Sequence, residues 1–235
     1  MPQENIRRIA PNRNRQLVRA ALAGTAFLLL ALGCAAQDPP QDHSCTAYAA
    51  VEYTTPHGRD GSNFTHGGGF QAGGGFAVTR PAEPGKGVEL YITVGFMYNR
   101  LAATGPALAQ AIASDTTHQL ASATSAHGSF EATTLDPTVN YHISRRFGVY
   151  GFGGFGWFRR GVEFSGAHPS TLIQSGGLTL DRLAADSGVV DAGGGINIGL
   201  RHNGGLMVYL EARVYHGLAI NNGTTLVPVS VGVRW

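Results

Sequence analysis

Charged side chains are scarce in this chain. Asp, Glu, Lys and Arg make up 14% of the 235 residues, and Lys86 is the single lysine. Charged residues make up about a quarter of a typical soluble domain, because a water-exposed surface needs them. Five of the 17 basic residues lie within residues 1–36, and residues 37–235 contain 12 basic and 14 acidic residues, a charge near −2. The main part of the chain therefore has no basic stretch for binding nucleic acid.

Long apolar runs and cysteines are equally rare. Beyond residue 36, no stretch reaches the roughly 18 consecutive apolar residues that a membrane helix requires. The two cysteines are Cys34 and Cys45. If Cys34 is removed with an export signal, Cys45 stands alone, which excludes a fold held together by disulfides.

Residues 1–36 have the organisation of a cleavable signal peptide. An arginine-rich start is followed by the apolar stretch from Ala20 to Ala36, which ends in small residues. Such a segment is typical of secretory signals. We expect the mature chain to begin near Gln37, with residues 37–45 as a short periplasmic segment before the folded domain.

Two alternatives to cleavage after Ala36 remain open. The apolar stretch, at about 17 residues, is marginal as an uncleaved anchor. Leu32-Gly33-Cys34 resembles the lipid-attachment signal of bacterial lipoproteins, although Ala31 and Leu32 do not match the residues which that motif prefers. The sequence does not decide whether Cys34 is lipidated or removed.

The rest of the chain alternates between apolar and polar residues with a period of two. The pattern is clearest at the carboxyl end, where valines alternate with Pro228, Ser230 and Gly232 up to Trp235. A period of two indicates β-strands with two different faces. It predicts eight strands, near residues 46–54, 69–79, 88–100, 134–143, 147–158, 189–200, 205–216 and 227–235. Residues 147–158 are aromatic on both faces, which leaves their register open and allows a β-bulge.

The connections between these strands alternate between long and short. The first connection has about 11 residues, and long loops are expected near 102–127 and 161–187. Tight turns are expected at 144–146 and 201–204, while residues 219–224 form a short last loop. This alternation predicts an up-and-down meander over residues 46–235, with both chain ends on the side of the short turns.

The pattern fits a membrane barrel better than a soluble barrel. One face of the strands is apolar, whereas the other is rich in the small residues that fit the narrow lumen of eight strands. Aromatic residues near the strand ends fit two interfacial girdles, namely Phe96, Tyr98, Tyr141, Trp157, Phe158, Tyr215 and Trp235. The alternative is a soluble, lipocalin-like barrel whose apolar face lines a ligand cavity.

The last strand resembles the carboxyl-terminal signal of bacterial outer-membrane barrels, in which alternating apolar residues end on an aromatic residue. The whole region from residue 46 to residue 235 resembles the small eight-stranded class typified by the OmpA and OmpX barrel domains. This resemblance implies an exported, integral outer-membrane protein in contact with membrane lipids and lipopolysaccharide. It also implies that the barrel-assembly machinery recognises the last strand through Val227, Val229, Val231, Val233 and Trp235.

The inward face of the predicted barrel includes ionisable residues. The alternation places eight of them there: Glu52, Glu89, Asp136, His142, Asp191, Glu211, Arg213 and Arg234. They either form an ion-pair network that fills the lumen, which buried charges require, or they line a narrow conducting path. Since eight strands leave an interior just filled by side chains, we favour the network.

The sequence predicts no catalytic, cofactor or metal site. Residues 151–156 match the nucleotide-binding pattern GxGxxG, but they lie inside a predicted strand with no helix after it. The nine histidines lack metal-ligand spacing. Ser125, His127 and Asp186 could serve an outer-membrane lipid-modifying enzyme, yet nothing else supports that reading. The favoured function is non-enzymatic: envelope structure, adhesion or ligand contact through the long loops.

Overall fold

The computed structural model of the protein describes residues 45–79, 86–115, 118–167, 184–200, 206–218 and 223–235. The predicted signal peptide, the segment 37–44 and most of the loop 161–187 lie outside these residues. The described chain forms two short helices, Arg59–Asn63 (α1) and Gly105–Ser114 (α2). It also forms eight strands: Cys45–His57 (β1), Phe64–Thr79 (β2), Gly87–Ala103 (β3), Ser125–Ser144 (β4), Phe147–Ser165 (β5), Ala184–Gly199 (β6), Met207–Gly217 (β7) and Thr225–Arg234 (β8).

The eight strands form a closed antiparallel barrel in which each strand pairs with its sequence neighbours and β1 pairs with β8. At the closing seam, the Ala47 amide donates to the Trp235 carbonyl at 2.8 Å, and the Trp235 amide donates to the Ala47 carbonyl at 2.9 Å. Closure leaves no strand edge with unpaired backbone groups. The predicted eight-stranded up-and-down barrel is therefore confirmed. We call the end at which β1 begins and β8 ends the turn end, and the opposite end the loop end.

The strands present their apolar residues outward. In β8, Val229, Val231 and Val233 are exposed, while Ser230 is buried inside the barrel. The same alternation runs along β4, where Leu135 and Val139 are exposed and the even-numbered residues from Ala126 to Asn140 are buried. Since successive side chains of a strand point to opposite faces, the period of two fixes this division.

Strand β5 has a regular register through its aromatic stretch. Tyr150 and Phe158 point inward, whereas Phe155 and Trp157 point outward. Pairing with β6 runs through residues 147–158 without a register shift, whereas pairing with β4 shifts by one residue between His142 and Ser144, opposite Gly148 and Phe147. An irregularity of the kind that the sequence allowed therefore occurs at the start of this stretch, where the extra residue is Ile143 on β4, and residues 148–158 are regularly paired. Interior glycines on the neighbouring strands make room for the inward rings. Side chains of β5 can therefore alternate between the lumen and the outer surface even where aromatic residues occupy both faces.

The connections at the loop end differ from the prediction. The first connection is residues 58–63, not about 11 residues, because β1 and β2 are longer than the sequence indicated. The region 102–127 contains α2, which the sequence analysis did not predict. Thr104 caps this helix by accepting a hydrogen bond from the Ala107 amide at 3.3 Å, and Pro106 lies in the first turn. Both are common helix-start signals.

Candidate functional site

The outer surface of the barrel has an uncharged apolar belt. On β3 the outward residues are apolar from Val88 to Tyr98 and then give way to Arg100. On β5 the belt runs from Phe147 to Trp157, and Arg159 follows. Ten residues at about 3.3 Å each, tilted by about 40°, span roughly 25 Å, the height of the apolar band of outer-membrane barrels.

Aromatic side chains mark both borders of this belt. Tyr53, Phe70, Tyr98 and Trp157 lie at its loop-end border, and Phe76, Tyr141, Phe147 and Trp235 lie toward the turn end. Two aromatics assigned to the girdles from the sequence, Phe158 and Tyr215, are instead buried inside the barrel. Both residues occupy inward positions, Phe158 on β5 and Tyr215 on β7. They were misassigned because proximity to a strand end does not show whether a side chain faces the lumen or the outside.

Arg213 is the centre of a buried ionic cluster in the middle of the lumen. Its Nη1 atom donates to Asp136 Oδ2 and to Asp191 Oδ2, both at 3.0 Å. Its Nε atom donates to Glu211 Oε1 at 3.2 Å. The guanidinium also lies 4.0 Å from the centroid of the Phe152 ring. Strands β4, β5, β6 and β7 thus meet in one set of contacts.

Glu211 links this cluster to a layer of polar and aromatic side chains. Its Oε2 atom accepts a hydrogen bond from the Tyr150 hydroxyl at 2.8 Å, and Oε1 accepts one from Gln71 Nε2 at 3.2 Å. Gln71 also donates to the Tyr209 hydroxyl at 3.3 Å. Gln71, Tyr150 and Tyr209 were not among the predicted lumen residues. Gln71 and Tyr209 nevertheless lie on inward strand faces, as the predicted ionisable residues do.

The other predicted lumen residues form separate contacts. Glu52 accepts hydrogen bonds from Asn99 Nδ2 at 2.6 Å and from Ser230 Oγ at 3.3 Å. Nearer the turn end, His142 Nε2 lies 2.8 Å from Glu89 Oε2.

Arg234 lies on a group of tyrosines near the turn end. Its guanidinium is 4.5 Å from the Tyr150 ring centroid and 5.1 Å from that of Tyr209. All eight predicted residues thus lie on inward positions, but they are divided among several local groups.

The loop end of the lumen is filled by an apolar cluster that we call the cap. Seven strands contribute to it, and the helix α2 adds Ala107 and Ala111. Phe64 and Phe130 pack edge to face at its centre, with ring centroids 5.5 Å apart. The other buried members are Met97, Leu101, Leu120, Ala126, Ala132, Phe158, Val162, Phe164, Ala167, Val189, Tyr215 and Leu226.

A buried ion pair joins α1 to β5 beside the cap. Arg160 Nη1 lies 3.7 Å from Asp60 Oδ1, and both side chains are almost fully buried. Arg160 also donates to Thr224 Oγ1 at 3.3 Å. This contact ties the first connection to the opposite wall of the barrel. The sequence analysis did not single out either ionic partner, because each lies outside the strands it predicted.

Interior glycines allow the aromatic rings to lie in the lumen. The Tyr48 ring occupies the space where a Cβ atom on Gly73 would lie, and its hydroxyl is 2.7 Å from the Cβ position of Gly95. Tyr48 cannot easily move aside, because its ring packs against Tyr209 with centroids 6.1 Å apart.

We expect Gly73→Val to reduce the free energy of unfolding by about 1–3 kcal/mol, the usual cost of overpacking a core. Gly153→Val is the matched control, since Gly153 is exposed on the outer face and its Cβ position meets the nearest atom at an ordinary 3.5 Å. Urea unfolding of both variants, refolded in lipid vesicles, measures the difference. Equal stability of the two variants would contradict the proposed ring-on-glycine packing.

The described residues give no support to an enzyme site. Ser125 and His127 lie on β4, and Asp186 lies on β6, so β5 separates them. Asp186 is instead 3.9 Å from Arg159 on the outer surface. Among the described residues, no group of three or more His, Cys, Asp or Glu is arranged to hold a metal ion. No helix in the same ranges is long and apolar enough to cross a membrane.

Comparisons with known proteins identify the fold. No family model matches the sequence, and no curated protein matches it. The crystal structure of Neisserial surface protein A is similar, with a TM-score of 0.53 and 12% identity over 81% of this chain and 96% of that chain.

Two further solved structures have lower similarity. The outer membrane protein OprG from Pseudomonas aeruginosa has a TM-score of 0.45 and 9% identity over 83% of this chain and 98% of that chain. Ail, the attachment invasion locus protein of Yersinia pestis, has a TM-score of 0.43 and 10% identity over 81% of this chain and 97% of that chain. The chain thus has the fold of the small eight-stranded outer-membrane barrels, as its terminal strand and strand count predicted.

Proposed function

We propose that this protein is an integral outer-membrane barrel with a non-conducting lumen and a non-enzymatic role in the bacterial envelope. The observation that carries the proposal is the apolar belt, about 25 Å tall, on the outside of a closed barrel. Its outward side chains are uncharged from Val88 to Tyr98 on β3 and from Phe147 to Trp157 on β5. A surface of this kind is stable in lipid, whereas in water it would be a very large exposed apolar patch.

The interior of the barrel argues against the alternative of a soluble carrier for an apolar ligand. Such a carrier needs an apolar cavity. Here the lumen at the level of the belt contains Asp136, Asp191, Glu211 and Arg213, all buried and in mutual contact. An apolar ligand at this level would have to displace the hydrogen bonds of these groups, which costs their desolvation energy.

The same interior supports a barrel that does not conduct ions. The ionic cluster fills the middle of the lumen, and the cap fills its loop end with Phe64, Phe130 and other fully buried side chains. Ions would have to pass through close-packed apolar groups, where charge is strongly disfavoured. The lumen polar groups therefore serve to hold the strands together.

The outer surface beyond the belt is the part that can contact a partner. Strands β4 and β5 extend past the belt, and their outward residues there are polar, including Glu131, Arg159 and Glu163. The region 102–127 exposes less surface to a partner than the sequence suggested, because four of its residues are buried in the cap, namely Ala107, Ala111, Leu120 and Ala126. Contact with an adhesion partner or ligand therefore falls to the exposed strand ends and to the loop 161–187.

The membrane partners follow from the same geometry. The belt would contact lipid tails, and the polar residues above its loop-end border would lie at the level of lipopolysaccharide headgroups. The last strand, with Val227, Val229, Val231, Val233 and Trp235, is the expected contact of the barrel-assembly machinery. Export through the signal peptide at residues 1–36 is part of this proposal.

Two measurements on the mature protein test the proposal. Folded barrel extracted from the outer membrane should migrate faster on a gel before heating than after heating, because the closed barrel resists detergent. Protein refolded into planar bilayers should give no stable conductance steps. Recovery in the soluble periplasmic fraction would overturn the membrane assignment, whereas steady channel conductance would overturn the closed lumen.

A further inference from the structure

Two aspartates of the central cluster each have one carboxylate oxygen without a hydrogen-bond partner. The Oδ2 atoms of Asp136 and Asp191 accept from Arg213, and Asp136 Oδ2 also accepts from Thr134 Oγ1 at 3.0 Å. The Oδ1 atoms of both residues are buried and have no hydrogen-bond partner among the described residues. A buried carboxylate oxygen in this condition is costly, so each one needs a physical explanation.

The two unsatisfied oxygens point to the same place. Both lie against Gly154, where a Cβ atom would contact Asp136 Oδ1 and would lie 3.0 Å from Asp191 Oδ1. The two Oδ2 atoms converge on one atom, Arg213 Nη1. The carboxyl groups therefore lie side by side over a glycine that leaves room for them.

The charges of the cluster do not balance if every carboxyl group is ionised. Three acidic side chains surround the single guanidinium of Arg213. Glu211 accepts hydrogen bonds from Arg213, Gln71 and Tyr150, so its ionised form is well satisfied. Two adjacent aspartates then share one cation donor, in a buried site where excess charge is strongly disfavoured.

The other ionisable groups around the cluster, within the described part of the chain, do not remove this excess. Within the described residues, the other titratable groups that face the cluster are Tyr48 and Glu52 on β1, Tyr150 on β5, and Tyr209 and Tyr215 on β7. The tyrosines are neutral donors, and Glu52 adds negative charge if ionised. Arg234 lies farther toward the turn end, on the Tyr48, Tyr150 and Tyr209 rings.

We propose that Asp136 and Asp191 hold one proton between their Oδ1 atoms. The O–H of one carboxyl group donates to the carboxylate of the other, as in enzymes where two adjacent aspartates share a proton. A single proton satisfies both buried oxygens and reduces the excess charge by one. The site is thus a proton-binding pair built into the wall of the lumen.

Infrared spectroscopy of the folded barrel in vesicles tests the pair directly. Near neutral pH the wild-type protein should show the carbonyl band of a protonated carboxylic acid. This band should shift when the aspartates carry carbon-13 in the carboxyl group, which distinguishes them from Glu52. The Asp191→Asn variant should lose the band. Absence of an aspartate-derived band in the wild type would overturn the proposal, since a bridging water or cation would leave both groups ionised.

Stability as a function of pH gives a second test. The folded pair holds a proton that unfolded aspartates release, so rising pH favours unfolding of the wild type. Asparagine imitates the protonated carboxyl group, because its amide can donate to Asp136. The ratio of the folding constant of Asp191→Asn to that of the wild type should therefore rise by up to about tenfold per pH unit above the ordinary range of aspartate.

The control is Glu163→Gln, which neutralises a carboxylate that is 72% exposed on the outer surface. Its folding constant should keep the pH dependence of the wild type. If Asp191→Asn also keeps that dependence, the shared proton is excluded. If Asp191→Asn does not fold, the isotope-edited spectrum of the wild type still decides between a shared proton and two ionised groups.

Discussion

Replacing Arg213 with methionine should lower the free energy of unfolding by about 3–5 kcal/mol, the cost of leaving buried charge without its partner. Methionine keeps the apolar stem that packs near Phe152 but removes the donors to Asp136, Asp191 and Glu211. Urea unfolding of the refolded variant in lipid vesicles measures the loss.

Arg100→Met is the matched control for this experiment. Arg100 lies on the outer surface, 3.5 Å from Glu163, and both side chains are largely exposed. Exposed ion pairs contribute at most about 1 kcal/mol, so this variant should stay close to the wild type. If the two variants lost equal stability, the ionic cluster would contribute no more to the stability of the barrel than an exposed ion pair does.

Introducing arginine at Val231 should cost about 2–4 kcal/mol in a bilayer, the penalty for a cation near the middle of the lipid-facing surface of a barrel. Val231 is 53% exposed on β8 and lies inside the apolar belt. Folding efficiency and urea unfolding in vesicles measure the effect. In water an exposed arginine at this position would be nearly neutral, so the size of the effect reports the environment of the outer surface.

Thr225→Arg is the comparison variant, because it places the same cation nearer the edge of the membrane than Val231→Arg does. Thr225 is also on an outward position of β8, but it pairs with His57 and His216, above the belt. A cation near the interface costs only about 0–1 kcal/mol. A similar small cost for both arginine variants would mean that the belt does not face lipid, and it would contradict the membrane assignment.

The interior of the barrel was only partly predictable. Alternation identified Glu52, Asp136 and Arg213 as inward residues, because direction along a strand depends only on local geometry. It did not reveal that Asp136 and Asp191 share one donor atom, since β4 and β6 are separated by a whole strand. That meeting depends on closure of the barrel and on the register of every pair of strands.

The cap shows the limit of period-based reasoning. The helix α2 is short and rich in alanine, and its start depends on Thr104 and Pro106 rather than on a strong repeat. Phe158 and Tyr215 were assigned to a lipid interface, since aromatic residues are common both there and in cores. Whether an aromatic residue lies in the core or at the lipid interface depends on the face of the strand it occupies. In β5 both faces have aromatic residues, so the sequence did not show which face is inward.

The sequence by itself determined the number of strands, the position of the β8 valines on one shared face, and the long connections that follow β3 and β5. These features follow from the two-residue repeat of a strand and from local turn propensity. The tertiary structure alone decided which inward groups touch, where the apolar cap closes the lumen, and that two aspartates compete for one arginine. Such contacts join residues from distant strands, and their geometry exists only after the sheet has closed on itself.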